Sequence, residues 1–82
     1  MDMPVKEVLK KQLRLPLELV EISAEFLEDI RVNGIKEPIE IRVRGDGSQV
    51  VWEGLHRLKA AVQLNLETVP VSFVKKGTES SQ

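Results

Sequence analysis

The chain predicts an α+β domain, a small mixed β-sheet with helices packed on it, and three observations carry that expectation. Ile39-Glu40-Ile41-Arg42-Val43-Arg44 alternates apolar and polar residues, the period of a half-buried strand. The turn signal Gly45-Asp46-Gly47-Ser48 leads into Gln49-Val50-Val51-Trp52, so the two runs form a β-hairpin. Leu55, Leu58, Ala61 and Val62 then recur along one face of a helix over residues 55–64, and Val69-Pro70-Val71-Ser72-Phe73-Val74 returns as a last strand. Pro70 has no N–H, which places that strand at an edge or its start close by.

The earlier half is less regular. Residues 1–14 are basic and mildly amphipathic, with Lys6, Lys10, Lys11 and Arg14 against Asp2 and Glu7. Val5, Val8 and Leu9 suit a short helix, whereas Leu13 and Leu15 alternate as in a strand, and so short a stretch fits either reading. Pro16 marks a break. Ser23 is placed to cap a helix whose apolar face is Phe26, Leu27 and Ile30, and which closes at Asn33-Gly34. Glu21, Glu25, Glu28 and Asp29 form its solvated side. Three segments result: a basic N-terminal segment (1–14), the domain proper (15–74) and a polar tail (75–82) expected to fray.

Composition removes several chemistries. A chain of 82 residues builds one hydrophobic core. With no cysteine, disulfides, thiolate zinc sites and thiol nucleophiles are excluded, and the lone histidine, His56, excludes a multi-histidine metal site. A net charge of -1 argues against strong autonomous binding to duplex DNA, although it leaves room for a local basic groove. No apolar run reaches membrane-spanning length and no signal-peptide h-region is visible, so the expected setting is the cytoplasm.

The segment Trp52-Glu53-Gly54-Leu55-His56-Arg57-Leu58 is where chemistry is expected. A strand ends, a glycine follows, and a helix begins at once. A helix start carries unpaired amide donors and the positive end of the macrodipole, which together suit an anion. Glycine lets the anion approach the backbone, and Arg57 offers a guanidinium fork matched to phosphate. Gly54 also reads as a plain turn glycine, and Arg57 as a surface ion-pair partner. His56 either donates to a phosphate, moves a proton, or bonds a backbone group to fix the turn. Glu53 either acts as a base or holds Mg²⁺ through water, or is a solvated carboxylate. Trp52 covers the hairpin or stacks on a base, while Arg42 and Arg44 fall on the solvent side of their strand.

Three blocks occur in order: Gly34-Ile35-Lys36-Glu37-Pro38-Ile39, then Glu53-Gly54-Leu55-His56-Arg57-Leu58-Lys59-Ala60-Ala61, then Leu66-Glu67-Thr68-Val69-Pro70-Val71. Together they resemble the ParB N-terminal (ParB-like nuclease) family of the ParB/sulfiredoxin-like superfamily. The resemblance implies that fold over residues 15–74, and a phosphate held at Gly54, Leu55, His56 and Arg57. It implies a nucleotide partner (ATP, ADP or CTP) with Mg²⁺ as a companion, and DNA as a further partner that the net charge supports only weakly. In the kinase branch a glutamate near the first block is catalytic, which makes Glu37 a candidate beside Glu53 and His56. Leu55 stands where sulfiredoxins have their cysteine, so sulfiredoxin catalysis is excluded. No helix-turn-helix segment follows Val74, so sequence-specific DNA reading by this chain alone is not expected.

The leading expectation is therefore a ParB-like module binding phosphate of a nucleotide or nucleic acid in a DNA-related process. The alternatives are a metal-dependent nuclease, NTPase or small-molecule kinase using Glu53 and Glu37, and a non-catalytic interaction domain. Oligomeric state stays open: the last strand offers an edge for a second copy, but Pro70 and Lys75-Lys76 discourage such pairing.

Overall fold

Strand pairing builds one five-stranded mixed sheet in the computed structural model, which describes residues 1–75. The elements run β1 (Asp2–Pro4), α1 (Val5–Leu9), β2 (Gln12–Leu13), a 3-10 turn (Leu17–Leu19), α2 (Ala24–Asn33), β3 (Ile39–Val43), β4 (Gln49–Glu53), α3 (Leu55–Gln63) and β5 (Thr68–Lys75). The sheet order is β1-β5-β3-β4-β2. β1 is antiparallel to β5, β5 parallel to β3, β3 antiparallel to β4, and β4 parallel to β2. The predicted α+β class and mixed sheet are what the chain forms. The tail expected to fray lies, from Lys76 onward, outside the described residues.

Both readings of the first residues hold, each for its own part. Val5–Leu9 is helical and Gln12–Leu13 is a strand beside β4. Val5 and Val8 enter the core, so these residues supply both edge strands and two core side chains to the same sheet. Ser23 caps α2 as expected, its Oγ accepting from the Phe26 amide at 3.0 Å. Gly34, at φ 78°, takes the C-cap. On the outer side of α2 the Arg31 guanidinium pairs with Glu28.

One face of the sheet is apolar and covered. Ile39 and Ile41 from β3, Val51 from β4, and Val69 and Val71 from β5 pack with Val5 and Val8 of α1 and Leu55, Leu58 and Ala61 of α3. Of the apolar face expected for α3, Val62 departs: it is 40% exposed, and Ala60 is buried instead. α3 ends in a Schellman motif, with Asn65 at φ 60°. There the Leu66 amide donates to Ala61 O at 2.9 Å and the Asn65 amide to Val62 O at 3.2 Å.

The structure resolves the position of Pro70. β5 is an interior strand, flanked by β1 and β3. Pairing with β3 starts only at Val71, opposite Ile39, while the Val71 amide donates across β1 to Met1 O at 2.7 Å. Amides alternate sides along a strand, so the N–H that Pro70 lacks would face β3 before its ladder begins.

The opposite face of the sheet carries charge. The β3–β4 register passes from Glu40↔Glu53 to Ile41↔Val51, which makes Trp52 the extra residue of a β-bulge. Trp52 is half-buried, and Arg42 of β3 and Arg14, the residue after β2, bring guanidinium groups over its ring. Arg14 lies 4.7 Å and Arg42 4.2 Å from the centroid. Trp52 therefore covers the hairpin, and its ring is occupied by arginines.

Two glycines with positive φ separate two kinds of cost. Gly47 (φ 92°) closes the hairpin turn, and a Cβ there would meet nothing within 4 Å. Gly54 (φ 92°) is different, because a Cβ would sit 3.1 Å from both Cα and Cγ1 of Ile39. Gly47→Ala should cost only the left-handed backbone penalty, about 1–2 kcal/mol. Gly54→Ala should cost that plus about 1–3 kcal/mol of overpacking, seen as the larger drop in urea midpoint.

The hairpin turn also carries a pH-dependent term. The Ser48 amide (2.9 Å) and then its hydroxyl (2.7 Å) donate to Asp46 Oδ1, holding this carboxyl below the usual range with a smaller contribution from Arg44. A depressed carboxyl pKa stabilises the fold above its unfolded value, about 3.9, and that stabilisation is lost as pH falls through the folded value. Asp46→Ala should therefore melt below wild type at neutral pH, and the gap should close below about pH 4.

Candidate functional site

The junction between β4 and α3 is one residue long. Gly54 is the N-cap of α3 at φ 92°, ψ 17°, with no side-chain cap bond. The Leu58 amide is the first to find a partner within the helix, donating to Gly54 O at 2.9 Å. The amides of Leu55, His56 and Arg57 precede it and lie in the donor-rich first turn. The absent Cβ of Gly54 serves the fold itself, since that space is filled by Ile39. The close backbone approach expected for an anion is thus first of all the close approach of β3.

The four residues of the turn divide by environment. Leu55 is buried in the core and offers only its backbone. His56 is exposed, its ring meeting Phe26 of α2 edge-on at 6.4 Å. Arg57 folds back over the turn, with Nη1 3.3 Å from where a Cβ on Gly54 would lie. Its Nη2 donates to Glu37 Oε1 at 3.0 Å. The structure therefore brings Glu37 to the turn from 20 residues away. Glu53 is engaged by Arg14, whose Nη1 donates to its Oε2 at 3.4 Å.

Two open cavities flank the junction. One, of about 380 Å³, is lined by residues that include Arg14, Leu19, Trp52, Glu53, Gly54 and His56. The other, of about 210 Å³, lies among Phe26, Glu53, Gly54, His56 and Arg57. Among the described residues, no group of three or more His, Asp or Glu side chains gathers to hold a metal ion. Glu53 and Glu37 are each turned toward an arginine.

Two residues at this site were not singled out from sequence. Arg14 contacts Glu53 and Trp52, partners 38 and more positions away along the chain, so no local pattern marks it. Lys59 donates from Nζ to Leu17 O at 2.9 Å and Val20 O at 2.5 Å, tying α3 to the segment that walls the larger cavity. The available signal was a lysine between Leu58 and Ala60, both fully buried.

No protein-family model matches the chain, and no curated protein matches it. Solved structures do. The crystal structure of sulfiredoxin from Arabidopsis thaliana matches with a TM-score of 0.64 and 24% identity, over 99% of this chain and 90% of that one. The C-terminally truncated chromosome-partitioning protein ParB from Caulobacter crescentus, complexed with CTP-gamma-S, matches with a TM-score of 0.65 and 27% identity. That match covers 96% of this chain, which spans 46% of the ParB chain. The chain has the ParB/sulfiredoxin-like fold.

Proposed function

We propose that this chain binds the phosphate groups of a nucleotide at the first turn of α3. The observation that carries the reading is the junction itself: β4 enters α3 through a left-handed glycine, and Arg57 lies over the same turn. The amides of Leu55, His56 and Arg57 and the helix dipole supply the neutral part of the site. Arg57 supplies the charge, and exposed His56 is placed as a further donor at the mouth. The likeness to a ParB complexed with CTP-gamma-S supports a nucleotide over a bare anion.

A DNA-related setting is proposed on the ParB likeness, and a cytoplasmic one on the composition; no described helix is long and apolar enough to cross a membrane. The catalytic roles of Glu53, Glu37 and His56 belong to the enzyme alternative, whose test is phosphate release or plasmid nicking abolished by Glu53→Ala. Among the described residues no group of three or more His, Asp or Glu gathers to hold a metal ion, and magnesium is given no step in this proposal.

Backbone amide shifts during titration with ATP, ADP and CTP, with and without Mg²⁺, test the reading. Shifts centred on residues 54–57 are expected. Arg57→Ala should weaken binding at least about tenfold, the usual scale for losing a charge-assisted hydrogen bond. An unperturbed spectrum at millimolar nucleotide would sink the proposal.

A further inference from the structure

We propose that Glu37 is a built-in competitor for the anion at the α3 turn, engaging Arg57 until a ligand phosphate displaces it. The inference rests on the phosphate reading above and adds its regulation. Arg57 Nη2 donates to Glu37 Oε1 at 3.0 Å, so the guanidinium proposed to grip phosphate is held by a carboxylate, which presents it with similar oxygens. The two partners are unequally placed. Arg57 is 29% exposed and rises from the first turn of α3, whereas Glu37 is 78% exposed, in the segment between α2 and β3. The carboxylate is the partner that can leave into water at little cost, since exposed ion pairs are weak.

A second pair next to the turn repeats the arrangement, with Arg14 paired to Glu53 at 3.4 Å. Two guanidinium groups and two carboxylates thus cancel around the helix start, and little long-range attraction is left for a singly charged anion. A ligand succeeds by exchanging the Glu37 carboxylate for its own oxygens. Exchange favours ligands with several negative charges within reach of Arg57, a di- or triphosphate over a monophosphate.

The test is a titration of CTP, and separately of inorganic pyrophosphate and phosphate, into wild type, Glu37→Gln, Arg57→Ala and the double variant. Glutamine keeps the size and removes the charge. Glu37→Gln should bind CTP and pyrophosphate about three- to tenfold more tightly than wild type, the scale set by one exposed pair. That gain should shrink near 1 M salt, where the Debye length is about 3 Å. It should also vanish in the Arg57→Ala background, because the competition runs through Arg57. Glu37→Asp, which keeps the charge on a shorter arm, should fall between glutamate and glutamine, and wild-type melting curves for each Glu37 variant would confirm folding. Equal affinity in wild type and Glu37→Gln, with binding lost in Arg57→Ala, would overturn the competitor while leaving the phosphate site standing. Weaker binding in Glu37→Gln would show that Glu37 helps the ligand, and would also overturn it. A gain that persists without Arg57 would mean direct repulsion of ligand by Glu37, again against the proposal. No binding by any variant would remove both readings together.

Discussion

The contact between Gly54 and Ile39 is the constraint on which the rest of the arrangement depends. β4 must turn into α3 within a single residue, and the helix must then lie close over β3. A left-handed backbone makes the turn, and the missing Cβ leaves room for Ile39, whose Cα would lie only 3.1 Å from a Cβ placed there. With that closeness secured, Leu55, Leu58 and Ala61 reach Ile39, Ile41 and Val51 and bury them. Full burial of each large side chain in this set is worth about 1.5–3 kcal/mol, the main favourable term available to so small a domain.

The same junction sets the geometry of the candidate site. The N-cap residue is a glycine, so α3 has no side-chain cap. Its first-turn donors therefore take no bond from a side-chain cap, and the residues that carry them line two cavities at the positive end of the helix dipole. Fold and candidate site share one cause. The packing role of Gly54 is seen in the crowding a Cβ would meet there, and the proposed ligand role would be an additional use of a geometry that folding already requires.

Charge is handled in pairs throughout this end of the sheet. Glu40 and Glu53 lie opposite each other across the bulge, a like-charge juxtaposition that would be unfavourable if left alone. Arg42 answers Glu40 at 2.8 Å, Arg14 answers Glu53, and both arginines also rest on Trp52. Glu37 and Arg57 continue the pattern around the turn. The near-zero net charge of the whole chain is thus mirrored locally, and the paired charges leave little standing positive field around the turn.

What the sequence alone determined was set by neighbours in the chain. The alternation of 39–44, the Gly-Asp-Gly turn, the Ser23 cap and the Gly54 junction are short-range signals, and each forms the predicted element. The turn at residues 53–57 was legible for the same reason. Tertiary structure decided what depends on distant partners: β1 beside β5, which makes Pro70 part of an interior strand, and β2 beside β4, in a stretch where local periodicity fits helix and strand alike. It alone brought Glu37 to Arg57, Arg14 to Glu53 and Lys59 to the carbonyls of Leu17 and Val20. Those contacts join residues 20 to 42 positions apart, and no local periodicity encodes a pairing between side chains that meet only after the sheet has closed.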